Sequence, residues 1–188
     1  MGKNKAVFLD RDGVINKDYG YVYRIEDFHI YDEVFPALKL LKDAGYKLLI
    51  ITNQSGIGRG YYTEEDFKRV TEYMLDIFEK EGIKIDDIYY CPHHPEGVIP
   101  EYTMKCNCRK PETGMIDEGI KKFNIDVKKS FLIGDKETDI EAGRKVGLKT
   151  ILVKTGRGKD YIDITKADYI ADNILDAVKK YILKENGQ

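Results

Sequence analysis

The stretch that decides the fold is AVFLDRDG, residues 6–13. Its first four residues form an apolar run without helical periodicity that ends abruptly in charge, which predicts a buried strand. Similar runs recur at residues 47–51, 88–90, 130–133 and 150–153, and amphipathic helical patterns lie between them. Strands that alternate with helices predict an α/β fold, a three-layer Rossmann-like parallel sheet with helices on both faces.

The helices are indicated by periodicity and by capping residues. A helix is predicted over about 33–44, with Gly45 as its left-handed cap. Thr63-Glu64-Glu65-Asp66 is typical of a capping box, and the apolar face that follows it runs as far as Gly82. Further helices are predicted near 114–123, 138–146 and 173–184.

Length and charge limit the possible classes of protein. A chain of 188 residues is expected to form a single domain over 1–188, with short insertions and no large cap domain. The net charge of −2 provides no basic field for nucleic acid or for an anionic membrane. No run approaches the ~18 apolar residues of a membrane span. We therefore expect a cytoplasmic monomer with no nucleic-acid or membrane partner.

Carboxylates follow two of the predicted strands. Asp10 and Asp12 come directly after the first strand, and Asp135 follows the strand near 130–133, with Asp139 four residues further on. Parallel strands place their carboxyl ends at one edge, so Asp10, Asp12 and Asp135 should converge. Close carboxylates need a cation or a shared proton to relieve their repulsion, and Mg²⁺ suits oxygen ligands in an open site. As single residues, these aspartates could simply cap turns and helices.

The three cysteines cannot all pair with one another, and they lie in a proline-containing insertion over about 91–108. Four soft or borderline ligands form two tight pairs: Cys91 and His93, then Cys106 and Cys108. Zn²⁺ accepts a Cys₃His set readily, and four protein ligands would make the site structural. His94 is an alternative nitrogen ligand, because the two histidines are adjacent.

Four runs occur in the order used by one known family: DRDGVIN (10–16), TNQSGIGRG (52–60), CRKPETGM (108–115) and GDKETD (134–139). Together they resemble the haloacid dehalogenase superfamily of phosphatases. More closely, the sequence is similar to the branch that removes the 7-phosphate of D-glycero-D-manno-heptose 1,7-bisphosphate, a relative of the histidinol-phosphate phosphatases. The resemblance spans about residues 5–156.

The resemblance implies chemical roles for the matched carboxylates. Asp10 would attack phosphorus to form an aspartyl phosphate, and Asp12 would act as general acid and then as general base. Mg²⁺ would be held by the Asp10 carboxylate, the Asp12 backbone carbonyl and Asp135. Asp139 would brace this set from the first turn of a helix.

The same resemblance implies a set of phosphate-binding and substrate-binding residues. Thr52 and Asn53 would contact phosphoryl oxygens, and Lys110 would add positive charge in the transition state. The catalytic set is then Asp10, Asp12, Thr52 and Lys110. The substrate-binding set is Asp18, Tyr19, Gly20, Tyr21, Thr52, Asn53, Gln54, Ser55, Arg109, Lys110 and Lys136.

Arginine is scarce in the chain, yet Arg11, Arg59 and Arg109 all lie in these motif loops. That placement favours phosphate recognition, with Arg109 as the candidate for a second phosphate or its sugar. Arg11 and Arg59 could equally be structural. The glycine-rich residues 54–60 resemble a weak phosphate cradle, or else form a flexible turn.

The leading functional hypothesis is a Mg²⁺-dependent heptose-bisphosphate phosphomonoesterase, with Zn²⁺ as a structural metal. Histidinol-phosphate phosphatase is the alternative enzyme, although the long zinc loop and the SGIGRG run favour the heptose branch. An alternative of another class is a phospho-acceptor receiver or zinc-stabilised binding module that does not turn over. Asp12 separates the two classes, because a receiver needs no second carboxylate there.

Overall fold

A computed structural model describes residues 3–185 and shows a parallel sheet covered by helices on both faces. Residues 1, 2 and 186–188 of the predicted domain lie outside the described residues. The strands are β1 (Ala6–Leu9), β2 (Lys47–Asn53), β3 (Asp87–Cys91), β4 (Phe131–Gly134), β5 (Lys149–Val153) and β6 (Tyr169–Ala171). Their order across the sheet is β3-β2-β1-β4-β5-β6, and every pairing is parallel.

The helices connect the strands as crossovers. They are α1 (Val34–Asp43), α2 (Glu64–Lys80), α3 (Gly114–Phe123), α4 (Glu137–Val146), α5 (Ile174–Ala177) and α6 (Leu183–Glu185). A π-helical turn joins α5 to α6 over Val178–Ile182. Single 3₁₀ turns occur at Ile25–Asp27, Pro100–Tyr102, Val127–Lys129 and Gly158–Tyr161.

The predicted α/β fold is confirmed, with two differences in detail. All five predicted strands are present, but the short edge strand β6 was not predicted. The helix predicted near 173–184 is present, but a π-helical turn at Val178–Ile182 separates two short α-helical pieces. The predicted capping box is present: Thr63 Oγ1 accepts from the Asp66 amide at 3.2 Å, and Asp66 Oδ2 accepts from the Thr63 amide at 2.9 Å.

Alternation along β1 explains the three layers. Val7 and Leu9 point into one core, and Ala6 and Phe8 point into the other, all fully buried. Successive strand residues face opposite sides, so a strand that is apolar at every position must be covered on both faces. Residues of α1, α2 and the α5–α6 segment cover the first face, and α3 and α4 cover the second.

Two long segments leave the carboxyl edge of the sheet, over 10–33 after β1 and over 92–113 after β3. The second segment contains the insertion predicted over about 91–108, and residues of both segments line the cavity above this edge. In the part of the chain that the structure describes, no cap domain covers the edge. Between residues 3 and 185, no helix combines the length and apolarity required to cross a bilayer.

Candidate active site

The candidate site lies where β1, β2 and β4 end side by side. β1 is central, with β2 on one side and β4 on the other, and Asp10 follows β1 directly. Asn53 ends β2, and Asp135 follows β4. The strand order therefore brings three separate motifs to one point, as expected for the carboxyl edge of a parallel sheet.

Asp10 lies at the bottom of the site. It is only 6% exposed, and its Oδ1 accepts from its neighbour's amide and from Lys110 Nζ, both at 2.9 Å. Burial, together with the nearby Asp139 charge, raises the pKa of Asp10 above its usual value of 3.8. The carboxylate can stay ionised only where cations compensate it.

Lys110 supplies one of those cations. Its Nζ contacts Asp10 Oδ1 at 2.9 Å and Asp139 Oδ1 at 2.7 Å, and it donates to the Ile51 carbonyl at 2.9 Å. Burial alone would lower the pKa of Lys110, but the two carboxylates outweigh it and raise the pKa above its usual value. The lysine is therefore a fixed positive charge beside the candidate nucleophile.

Asp139 braces the site from the first turn of α4. Its Oδ2 accepts from the amides of Asp135 and Lys136, both at 3.2 Å, while Oδ1 pairs with Lys110. Carboxylates near helix N-termini are stabilised by free amides and by the helix dipole. Asp139 thus connects β4, α4 and the lysine.

The residues present fit a hard divalent cation. Oxygens of Asp10, Asp135 and Asp139 lie within 4.8 Å of one another. Asp135 Oδ2 accepts from the Arg157 amide at 2.9 Å, whereas the buried Oδ1 has no hydrogen-bond partner among residues 3–185. Burial, followed by the charges of Asp10 and Asp139, raises the pKa of Asp135 to about 9. An orphaned buried carboxylate oxygen beside a second carboxylate fits Mg²⁺.

Asp12 does not join that cluster with its side chain. Its Oδ1 accepts from Arg11 Nε and Nη2 at 3.1 and 2.8 Å, and from Asn16 Nδ2 at 2.9 Å. Its Oδ2 accepts from Gln54 Nε2 at 3.3 Å. Asp12 nevertheless lines the cavity above Asp10, and this arrangement leaves its carboxylate separate from those of Asp10, Asp135 and Asp139.

A cavity of about 410 Å³ opens above these groups. The predicted substrate-binding residues in its lining are Asp18, Gly20, Tyr21, Asn53, Ser55, Arg109, Lys110 and Lys136. Tyr19 is outside the lining and 60% exposed, with its ring edge-on to His29 at 5.9 Å. Thr52 and Gln54 lie beneath the lining, where Gln54 Nε2 donates to Thr52 Oγ1 at 2.8 Å.

The predicted zinc ligands come together beside the site. One ligand atom from each of Cys91, His93, Cys106 and Cys108 lies within 4.8 Å of the others, and all three cysteines are free thiols. His93 Nδ1 lies 3.3 Å from Cys108 Sγ and 3.5 Å from Cys91 Sγ. Three sulfurs and one imidazole nitrogen at this spacing fit tetrahedral Zn²⁺.

His94 is not a candidate zinc ligand. Its Nε2 lies 2.8 Å from Arg59 Nη2, and its Nδ1 accepts from the Glu96 amide at 3.0 Å. The two adjacent histidines therefore point to different partners, and the alternative left open by the sequence resolves to His93.

Comparison with known proteins relates almost the whole chain to phosphatases. A family model described as HAD-hydrolase-like matches residues 107–177. The D-glycero-beta-D-manno-heptose-1,7-bisphosphate 7-phosphatase of Haemophilus ducreyi is 49% identical over 180 residues, covering 95% of this chain and 98% of the relative. The D-glycero-alpha-D-manno-heptose-1,7-bisphosphate 7-phosphatase of Photorhabdus laumondii is 48% identical over 155 residues, covering 82% and 85%.

This chain belongs to the heptose-1,7-bisphosphate 7-phosphatase family of HAD-like phosphatases. Among solved structures, it is similar to the D,D-heptose 1,7-bisphosphate phosphatase from B. bronchiseptica complexed with magnesium and phosphate. That structure has a TM-score of 0.86 and 26% identity, covering 96% of this chain and 99% of the other.

Two of the three motif arginines have structural roles in this HAD-like phosphatase. Arg11 is 1% exposed, donates to Asp12 and to the Val22 carbonyl, and has the rings of Phe28 and Phe67 within 6 Å. Arg59 pairs with His94. The structural alternative left open for both arginines is therefore favoured, because both guanidinium groups contact other parts of the protein.

Arg109 remains available in the cavity wall. Its buried Nη1 has no hydrogen-bond partner in the described part of the chain, and the residue lines the cavity next to Lys110. Because Arg109 lines the cavity and this nitrogen has no partner, the residue is a candidate to bind an anionic ligand.

The glycine-rich loop is packed rather than open. The amides of residues 54 and 57–61 all donate to backbone carbonyls, so they are not free to bind an anion. A Cβ on Gly58 would lie 2.8 Å from the Pro92 carbonyl oxygen, and one on Gly56 would lie 2.1 Å from the Tyr62 ring. The prediction of a phosphate cradle is therefore wrong for most of the loop, and its glycines instead allow close packing.

Four residues that line the cavity were not predicted: Tyr62, Thr138, Arg157 and Tyr161. Thr138 lies within the GDKETD run, so its position after Asp135 was the one available signal. The other three lie outside all four motifs, and nothing in their local sequence marks them.

Proposed function

We propose that this chain hydrolyses the 7-phosphate of D-glycero-D-manno-heptose 1,7-bisphosphate through an aspartyl-phosphate intermediate. The observation that supports it most is the buried Asp10–Lys110–Asp139 arrangement in a chain 49% identical to a named 7-phosphatase. A second phosphate on the substrate gives the unpartnered Arg109 Nη1 an anionic ligand.

In the first step, an Asp10 carboxylate oxygen forms a bond to phosphorus while the bond from phosphorus to the sugar oxygen breaks. Oδ1 is held by Lys110, so we assign the attack to Oδ2. Asp12 gives its proton to the leaving sugar oxygen. Lys110 stays beside the phosphoryl group, where negative charge spreads in the transition state.

In the second step, Asp12 removes a proton from water as the water oxygen bonds to phosphorus. The bond from Asp10 to phosphorus breaks, which releases phosphate and restores the carboxylate. Mg²⁺, held by Asp10, Asp135 and the Asp12 carbonyl, would neutralise charge between nucleophile and phosphate when bound. Asn53, Ser55 and Lys136 line the cavity where they can bind the phosphates.

Zn²⁺ is proposed as a structural metal with no role in these two steps. The four ligands Cys91, His93, Cys106 and Cys108 leave no open position for a substrate atom. Thiolate zinc ligands persist in a reducing compartment, which supports a cytoplasmic location. We also propose that the chain is a single domain and acts as a monomer.

The test is a phosphate-release assay on a substrate panel. The panel contains both anomers of the heptose 1,7-bisphosphate, histidinol phosphate and fructose 1,6-bisphosphate. Both anomers are included because the relatives' names specify the beta anomer in one case and the alpha anomer in the other. We expect the highest kcat/KM for one heptose anomer and no activity for Asp10→Asn. A preference for histidinol phosphate would overturn the substrate assignment. Release of one equivalent of dephosphorylated sugar, with the phosphoryl group retained on the protein and no further turnover, would instead indicate a receiver.

A further inference from the structure

The two oxygens of Asp12 have different surroundings. Oδ1 is saturated by three donor atoms from Arg11 and Asn16, at 2.8–3.1 Å. Oδ2 accepts one longer bond, from Gln54 Nε2 at 3.3 Å. Since a carboxylate oxygen can accept about two hydrogen bonds, Oδ2 is the oxygen that can still exchange a proton with a ligand in the cavity.

Gln54 is itself fixed at both ends of its amide. Its Nε2 donates to Asp12 Oδ2 and, at 2.8 Å, to Thr52 Oγ1. Its Oε1 accepts from the Tyr62 hydroxyl. If the amide flipped, its carbonyl oxygen would face the Asp12 carboxylate oxygen, and Tyr62 would lose its acceptor. The hydroxyl of Tyr62 therefore specifies which end of the amide faces Asp12.

Tyr62 is held rigidly enough to do this. It is 7% exposed, and its ring stacks on Tyr23 with centroids 5.0 Å apart and planes 6° from parallel. The glycine at position 56 leaves the space that the Tyr62 ring fills. Burial, followed by the Asp12 charge, raises the pKa of Tyr62 above its usual value of 10.0, so the phenol keeps its proton.

We propose that Tyr62 is a positioning residue, which acts through Gln54 to hold Asp12 with Oδ2 directed at the leaving oxygen. The inference rests on the proposed function, because it requires Asp12 to protonate the leaving group. Tyr62 would not touch the reacting atoms. Its removal should therefore impair leaving-group protonation rather than substrate binding.

The test compares kcat/KM over a series of phosphate monoesters, from 4-nitrophenyl through phenyl to ethyl phosphate. A nitrophenolate leaves without a proton, whereas an alkoxide needs one, and kcat/KM reports the steps up to its departure. The variants are Tyr62→Phe, which removes one hydroxyl and keeps the stacked ring, and Tyr61→Phe, the same change on a neighbouring residue that is 52% exposed. The series does not depend on which sugar is the natural substrate.

For Tyr62→Phe we expect kcat/KM to fall about tenfold for ethyl phosphate and less than about twofold for 4-nitrophenyl phosphate. The fall in kcat/KM should come from kcat rather than from KM. Tyr61→Phe should match wild type across the series. Gln54→Glu, which replaces the donor facing Asp12 with an acceptor, should lose more than Tyr62→Phe on ethyl phosphate. An equal loss on all esters, a change confined to KM, or no change would overturn the proposal.

Asp12→Asn separates this inference from the proposed function. If its kcat/KM falls steeply with leaving-group basicity while that of Tyr62→Phe does not, the acid role of Asp12 stands and the positioning role is wrong. If Asp12→Asn loses activity equally on every ester, the acid role itself fails, and the positioning role fails with it. Melting temperatures of all variants, compared with wild type, show whether an equal loss reflects unfolding.

Discussion

Magnesium should change how the stability of this phosphatase depends on pH. In the magnesium-free protein, Asp135 is fully buried, and its pKa is raised from 3.8 to about 9 by burial and by the charges of Asp10 and Asp139. Between these two values, the folded chain holds a proton that the unfolded chain has released. The contribution of Asp135 to stability is therefore highest below about pH 4, and this contribution is lost as pH rises towards 9.

The size of the effect follows from proton linkage. One extra proton in the folded state lowers the free energy of unfolding by about 1.4 kcal/mol for each pH unit. From about pH 5.5 to 7.5, this amounts to about 2.7 kcal/mol. Bound Mg²⁺ would replace the proton and remove the slope, so stabilisation by the metal should grow as pH rises.

The assay is urea unfolding at several pH values, with and without Mg²⁺, on protein whose zinc content is one per chain. Asp135→Asn cannot take up the proton, so this part of the pH dependence of its free energy of unfolding should be missing. Asp163→Asn, a change at an exposed aspartate, should keep it. Comparing variants cancels the titration of other groups. A magnesium-free slope that is the same in wild type and Asp135→Asn would refute the reasoning.

Three further predictions concern the lysine, the zinc and the tight backbone at the site. Lys110→Met leaves two buried carboxylates without their cation, so urea unfolding should show that the free energy of unfolding falls by about 3–5 kcal/mol. Phosphate-release assays should show that kcat falls at least about a hundredfold. A Cys106→Ser, Cys108→Ser protein should contain no zinc by metal analysis, and its melting temperature should be at least about 5 °C lower in a thermal scan. Its KM should rise, with a smaller change in kcat. A wild-type melting temperature and KM would contradict this prediction. In Gly13→Ala, the new Cβ would lie 2.0 Å from Asp135 Oδ2 and would force this carboxylate to shift, so titration calorimetry should show lost Mg²⁺ affinity. Gly82→Ala, with a similar positive φ and open space, should retain that affinity.

The sequence was sufficient for five of the six strands because each of them contains an apolar run. β1 and β4 are apolar runs that end in carboxylates, so both the strand and its functional end could be recognised. β6 was missed because its apolar run, Tyr169–Ala171, is only three residues long. The π-helical turn at Val178–Ile182 carries an ordinary helical pattern, and nothing local shows that its hydrogen bonding shifts.

Side-chain direction was the part of the site that the sequence could not provide. Arg11 lies between two carboxylates in the DRD run, which suggested a phosphate ligand, yet the segment after β1 turns it into the core against Phe28. Tyr62 precedes a capping box and looks like an ordinary apolar residue, because its partner Gln54 is identified only by the packing of the glycine-rich loop. These contacts depend on tertiary structure, so local patterns do not specify them.

The zinc cluster, by which we mean the proposed zinc ligands Cys91, His93, Cys106 and Cys108, joins the same two segments of chain as the reaction centre. Cys91 ends β3 directly opposite Asn53 at the end of β2. Asn53 exchanges two hydrogen bonds with the Lys110 backbone, at 3.0 and 3.2 Å, while Cys91 lies in the zinc cluster with Cys108. The segment that carries Lys110 is thus fastened to adjacent strand ends by an amide pair on one side and by the metal ligands on the other. Without zinc, Lys110 would keep its amide pair and its contacts with Asp10 and Asp139, whereas Arg109 would lose the fixed cysteine beside it. Metal loss should therefore weaken substrate binding before it alters the chemical step.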